Sequence, residues 1–321
     1  MARRILVHIA ALTAAQRERL TAAAAARGFE TCFRDDRASA LEAAGDAEIL
    51  FTADADLLDA APKARWLCVP SAGAENYLKP VLEDRGGVRL SCSSGAYGVT
   101  IAEHIVMVTL ELMRHQQEYA GIVSQRRWER QLPIRSIRGS RVTLLGTGNI
   151  GAEAAHRLRA FGPASIVGLN RSGRHPGGDF DRVLPISALD DALPETDLLV
   201  MALPGTRETA GLMDRRRLML LPGDAYIVNV GRGSAIDQAA LLELMQGGHL
   251  AGAALDVFER EPIPADDPIW DCPRLLITPH CSGNMTLGYT VDRIVEQFLE
   301  DFGNYCAGRP MERLVDRERG Y

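Results

Sequence analysis

The run Arg141-Val142-Thr143-Leu144-Leu145-Gly146-Thr147-Gly148-Asn149-Ile150-Gly151-Ala152 decides how this chain folds. An apolar, β-branched stretch ends at a G-x-G-x-x-G hexapeptide, and a helical pattern through Ala154, Ala155 and Leu158 starts at once. Such a hexapeptide is a weak signal alone, because glycines collect in any tight turn. A strand before it and a helix after it make it a dinucleotide loop. Gly146 permits the sharp turn, and Gly148 lets backbone N–H groups approach a pyrophosphate. Gly151 lets the helix pack close to the strand, and the helix amino terminus adds partial positive charge. Thr147, Asn149 and Ile150 complete the loop.

The next strand, Ser165–Leu169, predicts the neighbourhood of the adenosine ribose. An NAD-selective site usually has Asp or Glu there, about 20 residues on, to accept from the ribose hydroxyls. Here stand Asn170, Arg171, Ser172 and, a little later, Arg174. A carboxylate would repel the 2′-phosphate of NADP, whereas Arg and Ser bind it through charge-assisted hydrogen bonds. NADP(H) is therefore favoured, with NAD(H) still open and solvated surface arginines as the plain alternative.

Outward from this unit, short apolar runs alternate with helical patterns almost from end to end. Strands are expected at Ile5–Ile9, Phe29–Phe33, Glu48–Phe51, Trp66–Val69 and Val88–Leu90. Thr13 caps an alanine-rich helix that Gly28 ends. Thr100 opens a long apolar helix in which His104 reads as a packed structural histidine, and the chain ends in a helix from Thr286. Alternation of this kind predicts an α/β protein with doubly wound parallel sheets.

Composition narrows the function. The 321 residues carry a net charge of −6, without the basic excess of a nucleic-acid binder. No apolar run approaches the ~20 residues of a membrane helix. Met1-Ala2-Arg3-Arg4 resembles the basic start of a signal peptide, but His8 and Gln16–Arg19 follow too soon, so a cytoplasmic protein is expected. Six scattered cysteines without a C-x-x-C pair argue against a zinc site or a disulfide scaffold. Lys63 and Lys79 are the only lysines, and neither follows a glycine-rich loop, which excludes a P-loop.

Three later segments each put polar residues just past an apolar strand, where doubly wound sheets bind ligands. They are Ile227-Val228-Asn229-Val230-Gly231-Arg232-Gly233, Ala254-Leu255-Asp256-Val257-Phe258-Glu259-Arg260-Glu261-Pro262 and Leu275-Leu276-Ile277-Thr278-Pro279-His280. Arg232 between two glycines extends an unobstructed guanidinium fork, which matches a 2-oxo carboxylate. Hydride transfer to a ketone leaves an alkoxide that needs a proton. An imidazolium beside a carboxylate is suited to donate it, so Glu261 and His280 form a candidate acid–imidazole pair. Each residue has a plain alternative, as a turn, packing or surface residue.

Together these motifs, with Ala102-Glu103-His104 and Gly308-Arg309-Pro310, resemble the D-isomer-specific 2-hydroxyacid dehydrogenase family over nearly the whole chain. The resemblance implies reversible reduction of a small 2-oxo acid to the (R)-2-hydroxy acid by NAD(P)H. Glyoxylate, hydroxypyruvate or a bulkier acid would fit. It makes His280 the general acid/base, Glu261 its partner in preference to Glu259, and Arg232 the residue that orients substrate. Asp256 would contact the nicotinamide carboxamide. Leu203 and Pro204 would line the cofactor cleft, with Thr209 over the phosphates and Asn229, Val230 and Gly231 beside them.

Ala72 and Gly73 match the family loop whose amides hold the substrate carboxylate, although the family often has Asp where Glu75 or Asn76 stands. Tyr97 either faces the substrate or packs at the crossover. The family architecture implies a discontinuous flavodoxin-like substrate domain (1–99 with 285–321), a Rossmann-type domain (100–284), a cleft between them and a homodimer. A dinucleotide-sensing, corepressor-like binding protein is the alternative from another class.

Overall fold

The computed structural model describes residues 3–10, 12–78, 85 and 87–317. Met1 and Ala2, which begin the basic amino terminus, lie outside the described residues, as does Lys79. The chain divides into two compact units, Met1–Ala96 with Asn284–Tyr321, and Tyr97–Gly283. Every strand pairing in both sheets is parallel.

The first unit is built on β1 (Arg3–His8), β2 (Phe29–Phe33), β3 (Ile49–Thr52), β4 (Trp66–Val69) and β5 (Arg89–Cys92), in the order β2-β1-β3-β4-β5. That is the flavodoxin-like order. A capping box starts the helix Ala14–Ala25: Gln16 N–H donates to Thr13 Oγ1 at 3.3 Å and Thr13 N–H to Gln16 Oε1 at 2.8 Å. The carboxyl-terminal helix Gly288–Cys306 turns Val291, Ile294, Val295, Phe298 and Phe302 inward. Phe298 stacks on Phe51 at 4.3 Å and on Trp66 at 5.1 Å between centroids, so aromatic rings from both ends of the chain fill one core. Burial pushes the Cys68 thiol beside them up to about 12, which keeps it protonated.

The second unit carries β6 (Arg141–Leu145), β7 (Ser165–Asn170), β8 (Arg182–Pro185), β9 (Leu198–Met201), β10 (Tyr226–Asn229), β11 (Gly252–Leu255) and β12 (Leu275–Ile277). Their order is β12-β11-β10-β9-β6-β7-β8, which reverses direction between β6 and β9 as in a Rossmann sheet. From β9 to β12 the strand interiors are Val, Ile, Leu and Ala with almost no exposure, as a sheet covered on both faces requires. The helix Gly98–Met113 packs along the helix Asn149–Arg159. Among the described residues no helix is long and apolar enough to cross a membrane.

Candidate active site

The site is built from the carboxyl ends of six adjacent strands of the second unit, β12 to β7 in sheet order. At the switch point, Gly146 has φ +100°, and a Cβ there would lie 2.7 Å from the Ala202 carbonyl oxygen and 3.6 Å from Leu203. A Cβ on Gly151 would lie 2.0 Å from the Gly146 oxygen, so the helix can start against the loop only as glycine. Around Gly148 nothing lies within 4 Å of such an atom, and no side chain caps the helix it begins. Two glycines thus close the turn, and the third leaves open the space in front of the helix amino terminus. A pyrophosphate fits that arrangement. Asn149 turns its side chain against Gly98 at the start of the long helix. Thr147 is buried and Ile150 half-buried.

Asn170 ends β7 folded into its own loop. Its Nδ2 donates to Thr147 Oγ1 at 2.8 Å and to the Arg174 carbonyl at 2.9 Å, while its Oδ1 accepts from Gly173 N–H at 2.7 Å and Ser172 N–H at 3.1 Å. Asn170 shapes the turn, and Arg171, Ser172 and Arg174 stand exposed on it. Across the switch point, Thr209 Oγ1 donates to the Pro204 carbonyl at 2.6 Å and accepts from Thr206 N–H at 2.9 Å, so it staples the loop. The Thr206 hydroxyl, helped by the charges of Arg171 and Arg207, holds the Glu208 carboxyl below its usual range.

The glycines flanking Arg232 serve close packing. A Cβ on Gly231 would lie 2.7 Å from the Leu203 backbone, and one on Gly233 would lie 1.9 Å from the Phe258 carbonyl carbon. The guanidinium is also not a bare fork, because Nη1 donates to the Gly231 carbonyl at 2.7 Å. Buried Asn229 ties this loop at both ends, accepting from Gly231 N–H and donating to the Arg232 carbonyl, each at 3.0 Å. Val230 is buried between them.

His280 Nδ1 lies 2.6 Å from Glu261 Oε2, and Glu261 Oε1 accepts from Phe258 N–H at 2.8 Å. Glu259 points elsewhere, accepting from Gln238 N–H at 3.0 Å. The imidazole is about half exposed, at 52%. Its backbone has φ +50°, a left-handed conformation uncommon outside glycine.

Asp256, 2% exposed, holds this segment. Its Oδ1 accepts from Thr278 Oγ1 at 2.6 Å and Cys281 N–H at 2.9 Å, and its Oδ2 from Ser282 N–H at 3.0 Å. The Cys281 thiol also bonds this carboxylate, so about four acceptor sites meet four donors of the chain.

The structure therefore gathers Arg232, Glu261, His280, Asp256 and the glycine loop on one sheet edge. Ala72 and Gly73 lie in the first unit after β4, where Ser71 Oγ donates to the Gly73 carbonyl at 2.7 Å. Tyr97 is buried, with its ring against Gly283. Thr278 and its neighbour His104, whose Nε2 lies 3.2 Å from Thr278 Oγ1, received no site role from the sequence. Only the nearness of Thr278 to His280 signals it, and nothing links residue 104 to residue 278. Among the described residues no group of three or more His, Cys, Asp or Glu side chains is placed to hold a metal ion.

Known proteins resemble this chain in sequence and in fold. Residues 106–282 match the family model described as D-isomer specific 2-hydroxyacid dehydrogenase, NAD binding domain. Glyoxylate/hydroxypyruvate reductase A of Salmonella newport is 32% identical over 225 residues, 70% of this chain and 70% of that protein. A D-isomer specific 2-hydroxyacid dehydrogenase family protein from Aeromonas salmonicida superposes with a TM-score of 0.85 at 33% identity, covering 99% of this chain and 100% of that one. The NADPH-dependent glyoxylate/hydroxypyruvate reductase of Sinorhizobium meliloti, solved with NADP and sulfate, gives a TM-score of 0.81 at 26% identity, covering 99% of this chain and 100% of that one.

Proposed function

The chain belongs to the D-isomer-specific 2-hydroxyacid dehydrogenase family, and on that premise we propose that it reduces glyoxylate- or hydroxypyruvate-like 2-oxo acids with NADPH, using His280 as proton donor. The observation that carries this reading is the 2.6 Å His280–Glu261 pair on the sheet edge that also bears the glycine loop. NADPH, when bound, supplies the hydride that reduces the 2-oxo carbon.

The residues of the chain do the rest. Arg232 binds the substrate carboxylate or carbonyl and orients it. Glu261, held by Phe258 N–H, accepts the Nδ1 proton of His280. With Nδ1–H held this way, the imidazolium gives its Nε2 proton to the carbonyl oxygen during reduction and is left as the neutral Nδ1–H tautomer, whose bare Nε2 takes a proton back during oxidation. By its likeness to the family position, Asp256 would contact the nicotinamide carboxamide. The likeness of Ala72 and Gly73 to the family's carboxylate-binding loop supports the first unit as the substrate domain, and the glycine loop supports the second as the dinucleotide domain. Arg171 and Ser172 support a preference for NADPH, as does the relative from Sinorhizobium meliloti, whose name states that dependence. The names of the curated relatives support the substrate class.

A homodimer accompanies this reading. Met107, Val123, Trp128 and Ile134 expose large apolar side chains within one segment, Trp128 at 91%, and a second copy would cover them. No observation favours the corepressor-like alternative.

The test is NADPH oxidation against a panel of 2-oxo acids, with dinucleotide binding measured separately. Turnover on short 2-oxo acids is expected, and His280→Asn should lower kcat by about 10²–10⁴ while NADPH still binds. Tight NADPH binding without turnover on any acid would overturn the enzyme reading. Undiminished turnover in His280→Asn would remove His280 from its role.

A further inference from the structure

His280 sits in a left-handed conformation between two anchors on one carboxylate. Two residues before it, the Thr278 hydroxyl bonds Asp256 at 2.6 Å. One and two residues after it, the N–H groups of Cys281 and Ser282 bond the same carboxylate at 2.9 and 3.0 Å. Asp256 thus clamps both flanks of the residue that carries the strain, φ +50°.

The clamp has a further support in the long helix. Thr278 Oγ1 also lies 3.2 Å from His104 Nε2. A threonine hydroxyl has one proton, and here it goes to a carboxylate that accepts from every other partner it has in the structure. His104 Nε2 must therefore carry a proton and donate it to Thr278. Burial keeps the His104 imidazole below its ordinary range, against the pull of Asp256 and Glu111, which suits a neutral ring with its proton on Nε2.

We propose that His104, acting through the Thr278 hydroxyl and the Asp256 carboxylate, is a positioning residue that sets the rotor of Thr278 and so holds the His280 imidazole in its productive place. The ring donates and Thr278 passes the constraint on by donating to Asp256. The Asp256 bonds to Cys281 and Ser282 then fix where the backbone delivers His280. The role rests on the reading of His280 as the proton donor. Small misplacements of such a group cost rate more than affinity.

His104→Leu removes the donor at similar bulk, whereas His104→Gln keeps an N–H at a comparable reach. With saturating NADPH, His104→Leu should lower kcat about tenfold and leave KM for NADPH within about twofold, and His104→Gln should recover most of the loss. Thr278→Val should lower kcat at least as far, and adding His104→Leu to it should cost nothing more, because both act through one hydroxyl. Two readouts need no turnover. Nitrogen-15 NMR of the ligand-free protein should find His104 neutral with its proton on Nε2, and the His280 ring resonances should move in His104→Leu and return in His104→Gln.

Wild-type kcat in His104→Leu, independent losses that multiply with Thr278→Val, or a proton on Nδ1 of His104 would overturn the proposal. His280→Asn serves as the control. If it abolishes turnover while His104→Leu leaves kcat intact, only the positioning role fails. If His280→Asn turns over normally, the reading of the site fails, and the NMR readouts still decide the role of His104.

Discussion

The two units of this chain hold themselves together by different means. The first relies on side chains: Trp66, Phe51, Phe298 and Phe302 stack with nearly parallel rings, and the helix that brings two of them comes from the far end of the chain. The second, at the ends of its strands, relies on backbone against backbone. Gly146 meets Ala202, Gly231 meets Leu203 and Gly233 meets Phe258, each closer than any side chain would allow. An aromatic core loses packing when one ring is cut back but keeps its backbone course. A seam of apposed backbones cannot accept even a methyl without displacing a loop, and these loops carry Arg232 and the approach to Glu261.

The sharpest way to break this contrast is one methyl in the seam. Gly233→Ala puts a carbon where the Phe258 backbone now lies, so the loops after β10 and β11 must part. We expect kcat to fall by about 10² or more, because Arg232 and the residue that holds Glu261 both move. Turnover and NADPH binding on the purified variant check it, and wild-type kcat would mean that the seam is soft.

The counterpart in the first unit is Phe298→Ala. It empties the centre of the aromatic stack and should cost about 3–5 kcal/mol of stability, read from denaturant midpoints. A cost under about 1 kcal/mol would show that the rings around it close the gap.

The contrast also sorts what can be read from the sequence. Strands buried on both faces, such as Trp66–Val69 and Arg141–Leu145, appear as unbroken apolar runs and lie where the pattern puts them. Arg182–Pro185 does not, because it is an edge strand paired only with β7 and no residue of it is fully buried. The helix Gln116–Ser124 buries no residue, and its stripe of Tyr119, Ile122 and Val123 is too short to stand out from the polar run that follows. The long helix begins at Gly98, two residues before Thr100, and the last one at Gly288, two after Thr286, since neither start has a side-chain cap to mark it.

In the site, the motifs display the chemistry but not the orientation. Glu259 and Glu261 both follow β11, and only the fold turns one to His280 and the other to Gln238. Arg232 is visible between its glycines, yet the reason for those glycines lies in Leu203 and Phe258, which adjoin them only in space. The bond between His104 and Thr278 spans 174 residues, and no local pattern encodes it.

A smaller effect sharpens the cofactor side. Arg171 stands exposed on the turn that Asn170 closes, and the Asn170 bonds to Thr147, Gly173 and Arg174 do not involve its side chain. Arg171→Ala should lower kcat/KM for NADPH about tenfold and leave that for NADH within about twofold, since one charge-assisted contact to the 2′-phosphate is lost. Equal losses with both dinucleotides, or a wild-type preference for NADH, would place the 2′-phosphate elsewhere.

The smallest expected effect concerns acid and His104. Burial lowers the affinity of its imidazole for a proton in the folded chain, with Asp256 and Glu111 opposing. In the unfolded chain it titrates near ~6.5. Between its lowered folded value and ~6.5 the unfolded chain binds more protons, so stability falls as pH drops through that window and is fully present above it. Other groups also titrate there, so the informative quantity is the difference between proteins. Denaturant midpoints taken at about pH 7.5 and about pH 5.5 should drop further for the wild type than for His104→Gln, which has no proton to gain. Equal drops would mean that His104 takes up its proton in the folded chain as readily as in the unfolded one, and the polar link from the long helix to the His280 loop would then tolerate a charged ring.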